Sequence, residues 1–473
     1  MNFEMLDTES TIVAPATAMG GAVMVVRLSG SRAIEIADRM FRGRKPLSDT
    51  EGYTLHYGTI VGGEGEVIDD VVVALFRAPR SFTGEDTVEI TLHGSQYITS
   101  RVLHLAIEHG ARMATAGEFT RRAFLAGKMD LSRAEAVADV IASDSAWSHR
   151  VATTQMRGGY SARLATLRDR LLHLCSLLEL ELDFSEDDVE FADRKMLRSI
   201  IDEVSHEIES LTSSFSLGNA LKEGVAVAIV GEPNVGKSTL LNALVEDDRA
   251  MVSEIAGTTR DTVEATAVID GIRFRFIDTA GLRTTDDRLE SMGIERTRRA
   301  MSEAHVILHL AAADNPRFEP VSPAASQRYI RVINKIDKLP TTPDATTSTP
   351  TNAESDATTL TPTNAESDAA TLLHISARHG LGIERLRSVL RSTVDTASID
   401  AGDVVVSNMR HYAALRSAYD SLRSAMTSME RNLPADLLSE ELRQTLHHLG
   451  EITGEITSDD ILHSIFSKFC IGK

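Results

Sequence analysis

The spacing of apolar residues changes along the chain and divides it into regions of different predicted structure. Between residues 11 and 92, short apolar and β-branched runs alternate with breaks rich in glycine or proline, a pattern typical of strands joined by turns. The predicted strands cover 11–13, 22–28, 53–60, 71–76 and 88–92, and a helix is predicted over 96–109. This region is therefore predicted to be an α+β domain ending near residue 128.

From residue 131 to about 217 the apolar residues recur at spacings of three and four, which is the period of a helix. One face of a long helix is formed by Leu164, Leu167, Leu171, Leu174, Leu178 and Leu182. A leucine face without interleaved cofactor-type residues is typical of the core of a helical bundle. We therefore expect these leucines to face a common core.

Residues 223–395 return to alternating strands and helices, and the run 225–230 is apolar throughout, as a strand buried on both faces requires. After residue 404 the pattern is helical again, with a break near Pro434. This order favours an α/β domain inserted into a discontinuous helical domain. The predicted boundaries are 1–128 for the N-terminal α+β domain, 129–222 and 396–473 for the two parts of the helical domain, and 223–395 for the inserted domain.

The composition is that of an ordinary globular protein, and the net charge limits which partners the chain can bind through bulk charge. Of its 473 residues, 42% are hydrophobic and 25% are charged, which excludes disorder along the whole chain. With 49 Lys and Arg against 69 Asp and Glu, the net charge is −20. Such a chain is not built to coat nucleic acid or an anionic membrane through bulk charge. Any contact with RNA must be local or supplied by a partner.

Cysteine use and hydropathy point to a reducing compartment. The chain has two cysteines, Cys175 and Cys470, which excludes a disulfide framework. The first ten residues are acidic and do not resemble a basic signal or transit peptide. No stretch approaches the roughly 18 consecutive apolar residues that a membrane span needs. We expect a cytoplasmic protein.

One segment has low complexity. Residues 349–360 (TPTNAESDATTL) are repeated as 361–372 (TPTNAESDAATL), and residues 341–372 contain no lysine or arginine. So polar a segment cannot bury enough apolar surface to offset the entropy lost on ordering. We expect a disordered, duplicated insert at about 341–372.

Residues 231–238 read GEPNVGKS and directly follow the predicted strand 225–230. They match the P-loop pattern G-x-x-x-x-G-K-[ST], whose glycines allow backbone N–H groups to surround phosphates. Lys237 is suited to balance the β- and γ-phosphate charge, and Ser238 offers a hydroxyl to Mg²⁺. The pattern predicts a nucleotide site at this loop.

Two further motifs supply groups for the metal and the γ-phosphate. Residues 278–281 (DTAG) follow the predicted strand 273–277 and place the Asp278 carboxylate near the metal shell. Residues 257–261 (GTTRD) supply Thr259, whose hydroxyl can complete the Mg²⁺ shell. The residue after the DTAG motif is Leu282, whereas many GTPases use a glutamine there to orient the attacking water. Hydrolysis must therefore be assisted from elsewhere.

Two motifs identify the base as guanine. Residues 334–337 (NKID) follow the predicted strand 329–333, and Asp337 can accept hydrogen bonds from the ring N–H and the amino group of guanine, which adenine cannot match. Ser376 and Ala377 follow the predicted strand 372–375 and can contact the base oxygen through the backbone. The inserted domain is therefore predicted to be a P-loop GTPase domain, with a parallel sheet and helices on both faces, in a multidomain α/β protein.

The predicted GTP contacts cover all these motifs. They are Asn234, Val235, Gly236, Lys237, Ser238, Thr239, Ser253, Glu254, Ile255, Ala256, Gly257, Thr258, Thr259, Asp278, Thr279, Ala280, Gly281, Asn334, Lys335, Asp337, Ser376, Ala377 and Arg378.

The chain resembles the tRNA-modifying GTPase family MnmE, also called TrmE. Beyond the GTPase motifs, the resemblance rests on residues 81–86 (SFTGED), 408–411 (NMRH), 449–455 (LGEITGE) and 469–473 (FCIGK). Together with the inserted domain these stretches cover the chain almost from end to end.

The resemblance implies a homodimer formed through the N-terminal domain, which binds 5-formyl-tetrahydrofolate or a related reduced folate. With the flavoprotein MnmG, in a heterotetramer, such a protein installs aminomethyl-type groups on the wobble uridine of certain tRNAs. Its GTPase domains pair across the dimer in a potassium-dependent way. This pairing activates hydrolysis without a separate activating protein.

The resemblance also implies roles for individual residues. Potassium would be held by Asn234, Ser253, Ile255 and Thr258, and magnesium by Ser238 and Thr259. Glu290 would position the attacking water, with Lys237 as the second catalytic residue. Folate contacts would fall on Arg27, Glu85, Lys128 and Lys473.

The residues alone leave other roles open. Glu290 lies among other charges and could be a solvated loop residue, and Glu85 could cap a helix or turn. Cys470 could be a packed small hydrophobe or a reactive or positioning thiol near the folate, but residues 470–473 do not fit a prenylation signal.

Two features depart from the family pattern. Met19 stands before the paired glycines where a basic residue is usual, and the connection 338–375 is longer than the motif needs.

A second function class shares several of these motifs, namely GTP-switched assembly factors for ribosomal RNA. Such factors append a basic RNA-binding module. The net charge of −20 and the absence of a basic appendage in the sequence favour the tRNA-modifying family.

Overall fold

The structure is a computed structural model that describes residues 10–63, 65–183, 194–245, 264–278, 298–339, 371–400, 403–431 and 433–472. The chain forms two compact units. The first comprises 1–142, 152–212 and 410–473, and the second comprises 143–151 and 213–409. The predicted domain boundaries differ from this division, because the N-terminal and helical segments form one unit and residues 143–151 group with the GTPase segment. The boundaries stay a prediction.

A seven-stranded sheet forms the N-terminal part of the first unit. Its strands are β1 Ile12–Pro15, β2 Val23–Ser29, β3 Phe41–Gly43, β4 Thr54–Val61, β5 Val67–Phe76, β6 Thr87–His93 and β7 Arg112–Met113. Their order is β3-β4-β5-β6-β2-β1-β7, and neighbours are antiparallel except β1 and β7. Helices Ala33–Met40 and Gln96–Glu108 pack on one face, because their apolar sides share a core with alternate strand residues. Helix Glu118–Leu125 follows.

The rest of the first unit is helical. Its helices are Leu131–Ala142, the end of Ala146–Met156, Gly159–Asp183, Arg194–Ser213, Met409–Glu430, Ala435–Thr453 and Asp459–Phe466. Helix Ala435–Thr453 packs along Gly159–Asp183. The predicted leucine face is confirmed for Leu164, Leu167, Leu171, Leu174 and Leu178, which are all buried. The side chain of Leu182, the sixth leucine of this prediction, lies outside the described part of the chain.

A six-stranded sheet is the centre of the second unit. Its strands are β8 Val225–Val230, β9 Glu264–Ile269, β10 Ile272–Asp278, β11 Val306–Ala312, β12 Arg328–Asn334 and β13 Thr371–His374, in the order β13-β12-β11-β8-β10-β9. Both faces of β8 are buried: Val227 and Ile229 face one core, and Ala226 and Ala228 the other. Helices Phe215–Glu223, Lys237–Val245 and Ile383–Ser392 supply the first core, helical residues 298–303 supply the second, and Ala397–Asp400 is a short helix.

The predicted fold class is confirmed, with one correction to the sheet. Strand β9 runs antiparallel to β10, whereas the other pairs are parallel. The reason is a tight hairpin, since Asp270 and Gly271 between these strands both have positive φ, 49° and 76°. An Asp-Gly pair is a strong hairpin signal, so the sequence contained the information.

A second correction concerns the insert predicted at 341–372. Its last two residues belong to β13, where Thr371 and Leu372 pair with Ile330 and Arg331 of β12. Residues 340–370 lie outside the described part of the chain. Within the described ranges, no helix combines the length and the apolar character needed to cross a membrane.

Candidate functional site

The predicted nucleotide motifs come together at one edge of the six-stranded sheet. The P-loop follows β8, Asp278 ends β10, Asn334 ends β12, and Ser376 lies two residues after β13. These four strands are parallel and neighbours in the sheet together with β11. Because the carboxyl ends of parallel strands share one edge, the motifs line the crevice where α/β proteins bind ligands.

The P-loop has a conformation that requires its glycines. Gly231 and Gly236 have φ angles of 140° and 99°. A Cβ atom on Gly231 would lie 2.2 Å from the carbonyl oxygen of Leu310, and one on Gly236 would lie 2.4 Å from the Asn334 amide nitrogen. Both approaches are too close for any side chain. Asn234 also has positive φ, 63°, and its side chain is exposed at the loop.

Lys237 begins the helix Lys237–Val245 directly after the loop. Its ammonium group donates hydrogen bonds to the carbonyl oxygens of Gly231 at 2.7 Å and Glu232 at 3.0 Å. Ser238 and Thr239 are exposed at the same helix start. A loop of N–H groups at a helix N-terminus beside a lysine is a binding site for an anion such as a phosphate chain.

Asn334 connects the P-loop to the loop of Ser376 and Ala377, which is predicted to contact the base. Its side chain is 2% exposed; the amide nitrogen donates to the Val235 carbonyl at 2.9 Å, and the amide oxygen accepts from the Ala377 N–H at 3.0 Å. Lys335 reinforces this connection, since its ammonium group donates to the Asn234 carbonyl. The two loops therefore hold each other in place through two buried hydrogen bonds of Asn334 and one exposed hydrogen bond of Lys335.

Asp337 is held by Ser376, 39 residues later in the chain. The Ser376 hydroxyl donates to the Asp337 carboxylate at 2.5 Å, and this hydrogen bond lowers the pKa of Asp337 below its ordinary value. An ionised carboxylate in a fixed orientation can accept two N–H groups from guanine. Arg378 is exposed in the same loop.

Part of the predicted nucleotide site lies outside the described residues. This holds for Ser253, Glu254, Ile255, Ala256, Gly257, Thr258, Thr259, Thr279, Ala280, Gly281, Leu282 and Glu290, and of Asp278 only the backbone is described. The roles given to these residues stay predictions.

A second site lies in the N-terminal domain, around Arg27 on β2. The Arg27 guanidinium pairs with Glu89 on β6, with N–O distances of 2.8 and 2.7 Å. It also lies 5.8 Å from the ring of Phe82 and 5.6 Å from that of Phe119. A half-buried cation beside two aromatic rings can hold an anionic group of an aromatic ligand.

Glu85 is bound by two side chains, those of Arg122 and Ser29, that the sequence does not predict as its partners. Both carboxylate oxygens accept from Arg122, at 3.0 and 3.1 Å, and one accepts from the Ser29 hydroxyl at 2.7 Å. Arg122 is 4% exposed. The spacing of Glu118 and Arg122, four apart on one helix, indicates only that these two side chains can pair and does not indicate Glu85. The Glu85 carboxylate therefore binds the Arg122 and Ser29 side chains. The sequence alone also allowed it to cap a helix or turn.

The C-terminal segment completes this second site. Gly117 donates to the Cys470 carbonyl at 3.4 Å, and Arg27 donates to the Gly472 carbonyl at 3.5 Å. Gly472 has a φ of 99°, and a Cβ there would lie 2.0 Å from the Pro15 carbonyl oxygen. Lys128 donates to the Pro79 carbonyl. The structure thus brings Arg27, the loop of Glu85 and the tail together, whereas Lys473 is outside the described residues.

The two cysteines differ in environment. Burial raises the pKa of Cys175 to about 11, so this thiol stays protonated and unreactive at neutral pH. Cys470 is exposed in the tail. Of the two, Cys470 is the candidate for chemistry, and its role stays a prediction.

Comparisons with known proteins agree over the whole chain. A family model described as "GTP-binding protein TrmE N-terminus" matches residues 11–128, and one described as "MnmE helical domain" matches residues 131–470. The "tRNA modification GTPase MnmE" of Bacteroides fragilis is 46% identical over 475 residues, covering 98% of this chain and 100% of that protein. The protein of the same name from Cytophaga hutchinsonii is 47% identical over 470 residues, covering 98% of each.

Among solved structures, Aquifex aeolicus Era bound to GDP and aluminium fluoride is 25% identical, covering 41% of this chain and 65% of that chain with a TM-score of 0.24. The assignment rests on the family models and the full-length relatives. On both, this chain belongs to the MnmE family, also called TrmE.

Proposed function

We propose that this protein hydrolyses GTP and, together with a flavoprotein of the MnmG type, modifies the wobble uridine of certain tRNAs. Potassium and magnesium serve hydrolysis in the GTPase domain. A reduced folate in the N-terminal domain supplies the carbon of an aminomethyl-type group. Two copies of the chain form a homodimer. This homodimer joins two flavoprotein chains in a heterotetramer.

The observation that carries GTP hydrolysis is the connected set of loops at the sheet edge. Lys237, in the P-loop, is the proposed phosphate contact. Asp337, whose carboxylate is fixed by Ser376 at 2.5 Å, is the proposed base contact. Asn334 joins the P-loop to the loop of Ser376 through bonds of 2.9 and 3.0 Å. This arrangement supports a ligand that has both a phosphate chain and a guanine.

The P-loop supports the two proposed metal ions by its donor types. Ser238 offers a hydroxyl at the helix start, and Asn234 offers a side-chain amide oxygen at an exposed position of the loop. Hard oxygen donors of this kind suit magnesium and potassium. Bound there, the cations would neutralise charge that develops between the phosphates. Glu290 is proposed to position water, with Ser253, Ile255, Thr258 and Thr259 as further metal ligands.

The N-terminal site supports a folate by the chemistry of its side chains. A reduced folate combines a ring that donates N–H groups with an anionic tail. Glu85 can accept from the ring, and Arg27, Lys128 and Lys473 are cations suited to the tail. When bound, the folate supplies the one-carbon unit, while these residues bind and orient it and the rings of Phe82 and Phe119 limit access of water.

The outer face of the seven-stranded sheet supports a homodimer. Leu55 and Tyr57 on β4 are 73% and 71% exposed, and Val72, which pairs with Tyr57, is 38% exposed. Adjacent apolar residues on an open sheet face are typical of a protein interface. The second copy of the chain is the proposed occupant of this face.

The folate part is tested by titrating the purified full chain with 5-formyl-tetrahydrofolate in a calorimeter. We expect binding, and we expect it to weaken when Cys470–Lys473 are removed, because the tail contacts Arg27 and supplies Lys473. Arg44→Ala, at an exposed arginine elsewhere in the domain, is the control and should bind normally. Failure of the intact chain to bind would refute the folate role, and unchanged affinity without the tail would refute the role of the tail.

The tRNA part is tested by reconstitution with the flavoprotein. The full chain, the flavoprotein, GTP, the folate as carbon source, an ammonium salt as nitrogen source and a hydride donor that reduces the flavin are incubated with an unmodified tRNA, and the wobble nucleoside is analysed by mass spectrometry. We expect an aminomethyl-type uridine that requires both proteins. Modification by the flavoprotein alone would contradict the proposal.

A further inference from the structure

We propose that Arg122 is a positioning residue for the folate site, and that it acts by holding the Glu85 carboxylate in one orientation. The inference rests on the proposed folate function and goes beyond it, since it adds a residue and assigns the oxygen of Glu85 that meets the ligand. No contact of Arg122 with the ligand is required.

Arg122 is fixed by groups on its far side from Glu85. One terminal nitrogen donates to Glu118 at 3.0 Å and to the Ser10 carbonyl at 2.9 Å. The other terminal nitrogen contacts both oxygens of Glu85. Since the side chain is 4% exposed, little freedom remains, and a buried cation of this kind is stable only with such partners.

Glu118 is in turn fixed by a second arginine. Arg112 binds both of its oxygens, at 2.6 and 2.8 Å, and the Thr115 N–H donates to it at 2.9 Å. Burial alone would raise the pKa of Glu118, but these hydrogen bonds outweigh it and lower the pKa to about 2. Glu118 therefore remains ionised at neutral pH, between Arg112 and Arg122 in a chain of charges that ends at Glu85. The chain of charges begins at Arg112, whose side chain is half-exposed, passes through the buried Glu118 and Arg122, and ends at Glu85 in the ligand site.

The hydrogen bonds to Glu85 leave its two oxygens unequal. A carboxylate oxygen accepts about two hydrogen bonds. Oε2 already accepts from Arg122 and from the Ser29 hydroxyl, whereas Oε1 accepts from Arg122 alone among the described residues. The geometry therefore leaves Oε1 to accept an N–H group of the ligand ring. Without Arg122, the Glu85 carboxylate could rotate and would adopt several orientations.

The test is a double-mutant cycle of Arg122→Lys and Glu85→Gln in the full chain, with 5-formyl-tetrahydrofolate binding measured by calorimetry. Lysine keeps the charge but has a single nitrogen, so it cannot bind Glu118 and Glu85 through two separate nitrogens as arginine does. We expect the Kd to rise about tenfold, as for loss of a hydrogen bond to a charged group. If Arg122 acts through Glu85, the double variant should bind no more weakly than Glu85→Gln alone.

Arg121→Lys makes the same change one position earlier in the helix and should leave folate affinity unchanged. If Arg122→Lys does not fold, as judged by circular dichroism, Arg112→Lys takes its place, because it loosens the same chain of charges from a half-exposed position. Wild-type affinity in the variant, or losses that add in the double variant, would overturn the role of Arg122. An intact chain that binds no folate would overturn the proposed function itself, and this result is distinct from the other two.

Discussion

Glu135 and His411 lie 276 positions apart in the chain, yet the carboxylate oxygen of one and the Nε2 atom of the other are 2.6 Å apart. Glu135 is on helix Leu131–Ala142 and His411 on helix Met409–Glu430. Arg410 binds the same carboxylate with two bonds of 3.0 and 2.9 Å. This buried contact joins the two parts of the helical domain that the inserted domain separates in sequence.

Glu135→Gln should destabilise the helical part of the protein by about 3 kcal/mol at pH 7, since it removes the buried negative charge that Arg410 and His411 both bind. Urea unfolding followed by circular dichroism measures this loss. The matched control is Glu179→Gln, which removes the carboxylate from a pair with Arg443 whose side chains are 49% and 57% exposed. Surface pairs contribute at most about 1 kcal/mol, so the control should change little.

The stabilisation by Glu135 should also depend on pH. Burial would raise the pKa of Glu135, but the charge of His411 and the hydrogen bonds from His411 and Arg410 lower it from 4.5 to about 2. A pKa that is lower in the folded state stabilises above the unfolded value and loses this effect as pH falls through the folded value. The difference between wild type and Glu135→Gln should therefore shrink between pH 4.5 and about 2. A difference that stays constant over this range would contradict the assignment.

Ser376→Ala should weaken GTP and GDP binding equally, by about tenfold, because the carboxylate of Asp337 loses the hydrogen bond that orients it. The turnover rate at saturating GTP should stay near that of wild type, since the base is bound alike in the ground and transition states. Fluorescent nucleotide titration and steady-state kinetics give the two quantities. Ser388→Ala, on the exposed side of the next helix, is the control. A fall in turnover without a fall in affinity would count against base reading by Asp337.

Potassium should stimulate GTP hydrolysis strongly, and sodium should not, because sodium is smaller and fits a potassium cage poorly. Asn234→Ala should abolish the potassium effect, whereas Asn242→Ala, an exposed asparagine in the following helix, should preserve it. Glu290→Ala should slow turnover while GTP affinity stays unchanged, as expected for a group that acts only on water. Equal rates in the two salts, at saturating GTP and matched ionic strength, would refute the mechanism.

Deletion of residues 349–370 with a short linker should leave GTP affinity and turnover nearly unchanged, since closing a shorter loop changes the entropy only logarithmically. A deletion that extends through Leu373 is the matched control. It removes three residues of β13, among them Leu373, which is buried and pairs with Val332, so it should lose guanine selectivity. A large loss in the first deletion would show that the insert has a structural role.

The sequence predicted most strands and helices because their signals are local. The period of the leucines between 164 and 178, the apolar run of β8 and the glycines of the P-loop are each encoded within a few residues. The loop-to-loop bonds of Asn334 and the pairing of Glu85 with Arg122 were not predicted. They join residues 99, 43 and 37 positions apart, and no local pattern states which distant charge a buried side chain meets.

The contact between Arg27 and Gly472 has a consequence for synthesis. The two residues are 445 positions apart, and ribosomes add about 5–20 residues per second. The interval between synthesis of Arg27 and synthesis of the tail is therefore on the order of 20 to 90 seconds. The whole GTPase domain is made during this interval. The contact of Arg27 with the tail can form only after translation of the nucleotide-binding part, so a nascent chain that lacks the tail would lack this contact.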